Sequence, residues 1–324
     1  MEAVAAAAAI EEIRPARSLR RQMLHQIVRK KLAMIAITYL ALFYLCGLFA
    51  PLIAPQDPYE QRLSVEARRQ GPSSEHLLGT DTLGRDMLSR VIYATRTTML
   101  FTIAVTLTGG LFLGLGLGLL AGYRGGWIDT LIMRTGEVLS GLPTLFLLLA
   151  ITAAFRTRID DASYWLKQHT WLGGDAKTLL QFAIIIGATV PFAWIGSSRI
   201  VRSQALSIRE ADYVVAAELT GASSWRVITR HILPGVVPLF MVGLTGSMAS
   251  IAGAEVALSF IGLGISPPTP SFGNMIADGA GVRTFQANPH LLLSAALPVV
   301  LFFFAWNLLG DALVDLLDPR LQRR

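Results

Sequence analysis

The chain has 324 residues, of which 53% are hydrophobic and 15% are charged, and its formal net charge is +6 at pH 7. This charged fraction is too small to cover the surface of a soluble domain, so the composition excludes a soluble globular protein. The positive charge does not indicate a nucleic-acid partner, because basic residues cluster before the first apolar segment and there favour a cytoplasmic amino end. These residues are Arg14, Arg17, Arg20, Arg21, Arg29, Lys30 and Lys31.

Six apolar segments are each long enough to cross a bilayer, whose hydrocarbon core of about 30 Å requires roughly 20 helical residues. A soluble helical protein buries one or two such segments, but not six. The sequence therefore predicts an all-α fold, a polytopic membrane protein with six transmembrane helices and with both chain ends in the cytoplasm. The predicted spans are Leu32–Ala54, Met99–Ala121, Thr130–Phe155, Leu179–Ser198, Val236–Ala254 and Leu291–Gly310.

These spans define the predicted organisation of the chain. The single cysteine, Cys46, lies in the first span and excludes an internal disulfide. The predicted units are a cytoplasmic basic tail (1–31), the first span (32–54), an extracytoplasmic loop with an interfacial helix (55–96), a five-helix core (97–319) with a cytoplasmic loop at 199–235, and a C-terminal tail (320–324).

The second half of the loop at 55–96 contains the stretch HLLGTDTLGRDMLSR. Either Thr80 or Asp81 is a suitable N-cap for a helix. Amphipathic spacing after the cap predicts an interfacial helix that leads into the second span. The apolar positions are Met87, Leu88 and Val91, and the arginines expected to extend to lipid head groups are Arg85, Arg90 and Arg96.

The second span carries a glycine at every fourth position, at Gly110, Gly114, Gly118 and Gly122. Helices in lipid associate through close packing, which small residues permit. The pattern predicts contact with a neighbouring helix, and a hinge within the span is the alternative.

The third span contains Arg134 and Glu137, which are three residues apart and can pair on one helix face. Pro143 predicts a kink. After this span, residues 156–177 are predicted to form a second outside loop. Its aromatic residues, Tyr164, Trp165 and Trp171, indicate either an interfacial belt or a contact surface for an external partner.

A polar, helix-prone stretch runs from Arg209 to Pro238 between the fourth and fifth spans. Its charges prevent it from spanning lipid. Gly221 interrupts the helical pattern, and Ser223 and Ser224 are N-cap candidates for a second helix. The stretch therefore predicts a helix–turn–helix at the membrane face, with an exposed turn that a partner can bind.

The stretch after the fifth span begins at Glu255. Prolines at 267, 268 and 270 prevent helix and sheet there, so an extended or re-entrant chain is predicted. Two roles for Glu255 remain open: it lines a transport pathway, or it hydrogen-bonds backbone at an irregular helix end.

Three stretches resemble the dipeptide and oligopeptide branch of ATP-binding-cassette importer permeases. They are the GTDTLGRDMLSR stretch at 79–90, the YVVAAELTGASSWRVITRHILP stretch at 213–234, and the EVALSFIGLGISPPTPSFGNM stretch at 255–275. The middle stretch is similar to the cytoplasmic EAA loop, although Val215 and His231 replace an acidic residue and an isoleucine of the family pattern. The resemblance implies the type I importer permease fold.

The resemblance also implies the roles of particular residues. Residues that couple to an ATPase are Ala216, Ala217, Glu218, Gly221, Ala222, Ser223, Trp225 and Arg226. Residues on the side of the pathway and of the external binding protein are Glu255, Ser259, Phe260, Pro267 and Pro268.

The implied complex contains a second homologous permease, two cytoplasmic ATPases and an extracytoplasmic substrate-binding protein in a bacterial plasma (inner) membrane. ATP and Mg²⁺ belong to the ATPases, and this chain is expected to bind no cofactor. Peptide is the expected cargo, with nickel chelates, opines or another small solute as the alternative.

Other function classes lack their sequence signatures. No G-x4-G-K-[ST] loop is present to hold ATP, and no H-E-x-x-H motif is present for a membrane metalloprotease. We therefore expect no catalytic and no metal-ligating residues, and no enzyme. A secondary transporter would show inverted repeats and ion-coupling residues in mid-membrane, and we find neither.

Overall fold

The computed structural model describes residues 30–169 and 176–317. The predicted basic tail up to residue 29, Trp171 and the tail at 320–324 lie outside these ranges. Within them, every regular element is helical apart from an isolated bridge between Thr80 and Asp86. The all-α prediction is confirmed.

The helices are numbered in chain order. The first half contains α1 (Lys31–Leu48), α2 (Ala50–Ile53), α3 (Met87–Val105), a π-helical segment (Thr106–Leu115), α4 (Gly116–Arg124), α5 (Gly126–Ser140) and α6 (Thr144–His169). The second half contains α7 (Ala176–Arg209), α8 (Asp212–Leu219), α9 (Ser224–Val227), a π-helical turn (Ile228–Ile232), α10 (Leu233–Phe260), α11 (Phe272–Gly279), α12 (Val282–Ala287) and α13 (Pro289–Leu317).

Five helical stretches of the described residues are long and apolar enough to span a bilayer. They are Lys31–Leu48, Met87–Arg124, Ala176–Arg209, Ser224–Phe260 and Pro289–Leu316. Helices α5 and α6 pass the same test only together, and they are bent by 83° relative to each other. Counted as one broken span, they complete the predicted six.

The kink predicted at Pro143 is a complete break. Helix α5 ends with Gly141 at its C-cap, and α6 begins at Thr144. Because Pro143 has no amide proton and its ring opposes the carbonyl four residues earlier, the helix cannot continue through it without distortion. The Arg134–Glu137 pair forms as predicted, at 2.7 Å, and it is exposed on α5.

Residues 156–169 of the predicted outside loop are helical rather than irregular, because α6 continues to His169. Between Thr144 and His169 the sequence contains neither Gly nor Pro, so nothing ends the helix where its side chains change from apolar to polar. Hydropathy marks where a span leaves lipid, and the helix itself continues beyond that point.

The loop before α3 folds around two buried carboxylates. Asp86, rather than Thr80 or Asp81, caps α3, because its Oδ2 accepts a hydrogen bond from Ser89 N at 2.7 Å. Asp81 Oδ1 accepts from the backbone amide of Arg85 at 2.9 Å, and Oδ2 accepts from Arg85 Nε at 2.5 Å.

The expectation that Arg85 and Arg90 reach lipid head groups is therefore wrong. They are 3% and 1% exposed, and Arg90 Nε lies 3.4 Å from Asp81 Oδ2. A buried charge needs a partner, and Asp81 supplies one to both arginines. No separate interfacial helix occurs in the described residues 55–96, because α3 begins at Met87 and continues directly into the second span.

Three groups of buried apolar side chains hold the bundle together. One joins α1, α3, α10, α11 and α13, and in it the rings of Phe43 and Phe302 lie 4.6 Å apart. A second joins α3, α6, α7 and α10. The third, which includes Val201, Val214 and Val227, joins the end of α7 to α8, α9 and the start of α10.

The glycines of the second span pack against α7, as predicted. A Cβ added at Gly114, Gly118 or Gly122 would lie 2.5, 2.6 or 2.6 Å from the Cβ of Ser197, Val201 or Ala205, respectively. The spacing changes in the π-helical segment, where each turn is wider because hydrogen bonds join residues five apart. As a result Gly109, rather than Gly110, continues the contact with α7, while Gly110 faces Leu244 of α10.

We expect Gly118→Ala to destabilise the folded chain by roughly 1–3 kcal/mol, the usual cost of overpacking. Its new Cβ would lie 2.6 Å from Val201 Cβ and 2.8 Å from Ser198 O. Gly116→Ala is the matched control, since no atom lies within 4 Å of a Cβ there. Thermal unfolding of the purified protein in detergent measures both, and equal midpoints would contradict the prediction.

Candidate functional site: the helix–turn–helix loop and the segment after α10

The stretch between α7 and α10 folds as the predicted helix–turn–helix. Helix α8 ends with Thr220 at its C-cap, and Gly221 follows with φ +86°. Gly221 N donates to Glu218 O at 2.9 Å, and Ala222 N donates to Ala217 O at 3.0 Å. This is the Schellman arrangement, in which a residue with positive φ ends the helix, and glycine adopts that conformation without strain.

The loop has a buried base and an exposed tip. Val214 and Val227 are fully buried among residues of α7 and α10. At the tip, Leu219 is 83% exposed and Trp225 is 75% exposed. The proposed coupling residues lie together around this turn, and Ala217 and Ala222 among them are half-buried. Large apolar side chains exposed on a firmly held turn are typical of a surface that binds a protein partner.

A hydrogen-bond network ties this loop to the junction of α4 and α5. Tyr123 donates through its hydroxyl to Glu218 Oε1 at 3.1 Å, and Arg209 Nη1 donates to the carbonyl of Tyr123 at 2.9 Å. Two turns further into the bundle, Arg202 forms a two-point ion pair with Asp129, with Nη2 2.5 Å from Oδ2.

Sequence analysis did not identify this network. The available signal was the spacing of Arg202 and Arg209, which are seven residues apart and so share one face of a helix. Their acceptors lie 73 and 86 residues earlier in the chain, and no local pattern relates the two segments.

The residues predicted to lie on the side of the pathway and the binding protein divide into a buried pair, Glu255 and Ser259, and an exposed set. Glu255 is fully buried; its carboxylate accepts from Ser259 Oγ at 2.9 Å and from Thr98 Oγ1 at 3.2 Å. Ser259 Oγ accepts in turn from Ile265 N at 3.1 Å. Phe260 is 45% exposed, and Pro267 and Pro268 are exposed beyond it.

Two roles were left open for Glu255, lining a pathway or forming hydrogen bonds at a helix end. Within this chain its carboxylate forms hydrogen bonds, which favours the second role. Its partners are side-chain hydroxyls rather than backbone, and they connect α3, α10 and the segment that follows α10. Asn274 fixes the same segment from α11, since its Nδ2 donates to Ile265 O at 2.5 Å.

The two groups of residues lie at opposite ends of the bundle. Helix α10 starts beside the loop and ends at Phe260, and its 28 residues span about 42 Å at 1.5 Å per residue. No group of three or more His, Cys, Asp or Glu side chains that could hold a metal ion occurs in the described part of the chain.

A bundle of membrane-spanning helices, with an exposed helix–turn–helix loop at one end and an ordered, proline-rich segment at the other, is the arrangement of a multi-pass membrane protein of the transport class. Family comparisons specify the class. Residues 114–323 match the family described as binding-protein-dependent transport system inner membrane component, and residues 18–72 match the N-terminal TM domain of oligopeptide transport permease C.

The chain belongs to the family of binding-protein-dependent transport system inner membrane components. It is 32% identical over 302 residues to the dipeptide transport system permease protein DppC of Alkalihalophilus pseudofirmus, covering 93% of this chain and 90% of that one. It is also 32% identical to the glutathione transport system permease protein GsiD of Pectobacterium atrosepticum (93% and 91% covered) and 30% identical to the oligopeptide transport system permease protein OppC of Bacillus subtilis (90% and 87% covered).

Membership identifies this chain as a permease subunit of an ATP-binding-cassette importer. Subunits of this kind are transport components rather than enzymes, and the family has no cofactor of its own. The sequence-based assignment to this family is confirmed.

We expect Asp129→Asn to destabilise the chain by roughly 1.5–3 kcal/mol, the usual contribution of a hydrogen bond to a charged group. The Asp129 side chain is only 16% exposed, so water cannot fully replace it as the partner of Arg202. Thermal unfolding of the purified protein measures the change.

Glu137→Gln is the control, because it breaks a pair that is 74% and 52% exposed and should cost less than about 1 kcal/mol. A loss at Glu137 as large as that at Asp129 would mean that burial does not determine the strength of these pairs.

Proposed function

We propose that this chain forms half of the translocation pathway of a peptide importer. A second, homologous permease forms the other half, an extracytoplasmic binding protein delivers the cargo, and two cytoplasmic ATPases drive transport. The observation that carries the proposal is the helix–turn–helix loop, whose buried base and exposed apolar tip suit a surface that binds another protein and transmits its movement.

Short peptides are the cargo that we propose. The relatives above are named for dipeptide, oligopeptide and glutathione transport, and all three cargoes contain peptide bonds. No feature of the described residues favours nickel chelates or opines over peptides.

The loop is well placed to pass motion from an ATPase to the spans. When ATP and Mg²⁺ close the two ATPases, the tip at Leu219 and Trp225 moves with the ATPase that it contacts. Val214, Val227 and the Tyr123–Glu218 hydrogen bond connect the tip to α7 and α4. Because glycine contacts hold α4 and α7 close together, we expect these two helices to move as one body.

Among the described residues, the start of α1 and the last turns of α13 lie at the same end of the bundle as the loop. Lys30 Nζ lies 2.5 Å from Asp315 Oδ2, so α1 begins beside the last turns of α13. Helix α7 packs parallel to the second span, which places Arg124 and Arg209 at this same end. We propose that this is the cytoplasmic side of a bacterial plasma membrane, as the basic residues before the first span favour.

Cysteine labelling tests this orientation. In a Cys46→Ser background, we expect an impermeant thiol reagent to label cysteines placed at Ser64, Ser163 and Thr284 in intact cells. A cysteine at Ser223 should react only after the membrane is opened. Labelling of residue 223 in intact cells would reverse the proposed topology.

The docking role is tested at the tip of the loop. We expect Trp225→Ala to weaken association with the ATPases by about 2 kcal/mol or more, which is typical of a tryptophan at the centre of an interface. Co-purification of the ATPases and cargo-stimulated ATP hydrolysis in reconstituted vesicles measure this effect.

Trp127→Ala is the matched control, because Trp127 on α5 is 74% exposed and Trp225 is 75% exposed. Gly221→Val should impair coupling in the same assays, because a β-branched residue is strained at φ +86°, although no neighbouring atom lies within 4 Å. Normal ATPase association and hydrolysis in both loop variants would refute the coupling role.

A further inference from the structure

A cavity of about 400 Å³ opens at the end of the bundle opposite the loop. Its walls come from the polar extension of α6, the first turns of α7 and the segment after α10. This volume falls within the range of roughly 300–1,000 Å³ that is usual for small-molecule sites. One wall of the cavity is formed by α6 as far as Asp160, so residues 156–160 contribute directly to it.

The charged groups of the cavity leave a surplus of one positive charge. Arg156, Lys177 and Asp160 line it. Lys177 Nζ lies 2.7 Å from Asp160 Oδ1, in a pair whose side chains are about half exposed. Arg156 forms no ion pair with any residue that the structure describes. A guanidinium presents a fork of donors that matches the two oxygens of a carboxylate.

A neutral donor lies deeper in the same cavity. Gln181 is 6% exposed, and its Oε1 accepts from Ser266 N at 3.2 Å. Its Nε2 has no acceptor among the described residues, although the amide lines the cavity. Within the described residues, this amide nitrogen is therefore available to donate a hydrogen bond to a group in the cavity.

We infer that this cavity is a binding site for the α-carboxylate of a short peptide. Arg156 binds the carboxylate, and Gln181 Nε2 donates to it or to the adjacent peptide carbonyl. The Lys177–Asp160 pair contributes little stability in water, so it can open and offer Asp160 to the ammonium end of a dipeptide. This inference rests on the proposed peptide cargo.

The concave shape favours a small ligand over a protein surface. A flat docking face would have its charges on a convex rim, whereas here Arg156 and the Gln181 amide line a concave volume. The site would receive cargo after its release from the binding protein and before its movement along the pathway.

Protection of a single cysteine tests binding directly, without transport. Ser266→Cys in a Cys46→Ser background places one thiol in the cavity wall, in a complex whose other subunits lack accessible cysteines. In the assembled complex without binding protein, millimolar dialanine should slow labelling of residue 266. Dialanine amide and sodium acetate should not slow it.

Arg156→Gln in this background should abolish protection by dialanine. Arg158→Gln is the control, because it removes the same charge from the same helix, while Arg158 lies over the ring of Phe155 rather than in the cavity. Protection that survives Arg156→Gln, or no protection by dialanine in the parent protein, would overturn the inference. Equal protection by acetate would show that the cavity binds any carboxylate, and it would overturn the assignment of the site to a peptide.

Two further outcomes separate this inference from the proposed function. Protection by cargo-free binding protein but not by dialanine would assign the cavity to that protein and overturn the inference. Dialanine uptake by the wild-type complex together with absent protection would overturn the inference and leave the importer function intact. Absent uptake of di- and oligopeptides by the wild-type complex would instead refute the proposed cargo.

Discussion

The contact between the glycine face of the second span and α7 positions the end of the molecule that carries the helix–turn–helix loop. Lipid offers no hydrophobic driving force between helices, so their association depends on close van der Waals approach. Glycines from Gly109 to Gly122 allow that approach over more than three turns. Because the two helices run parallel, Tyr123 and Asp129 meet Arg209 and Arg202 near the end of this contact. Tyr123 also donates a hydrogen bond to Glu218 of the loop.

The opposite end depends on buried polar groups rather than on small residues. In a bundle surrounded by lipid, a buried carboxylate is tolerated only if other groups satisfy it. The hydroxyls of Thr98 and Ser259 satisfy Glu255, and Arg85 and Arg90 surround Asp81. The Asp81 contacts fix the loop before α3, and the Glu255 contact with Thr98 joins α3 to α10. Ser259 also accepts from Ile265 N, which fixes the turn of the segment after α10. That segment forms one wall of the cavity.

Two helices join these ends in the proposed importer. Helix α7 carries Gln181 at the cavity and Arg202 and Arg209 near the loop, and α10 connects α9 to Glu255. If an ATPase moves the loop as proposed, that movement reaches helices whose other ends bound the cavity. A site for cargo at that position would experience each ATPase cycle through rigid helices, without a separate relay of side chains.

The sequence by itself determined the features that depend on neighbouring residues. Hydropathy located the spans, four-residue glycine spacing predicted a packing face, and Gly221 with Ser223 predicted the turn between two helices. Each of these signals acts within a few turns of the chain, where propensity and periodicity are decisive. The resemblance of three stretches to importer permeases then identified the family.

Only the tertiary structure decided which distant groups meet. It selected Asp86 as the cap of α3, buried Arg85 and Arg90 against Asp81, separated α5 from α6 by 83°, and paired Arg202 with Asp129. An arginine near the end of a span can extend to lipid or pair with a carboxylate, and its local sequence is the same in both cases. The choice depends on whether the folded chain brings a carboxylate within reach, because pairing then offsets the cost of burying the charge.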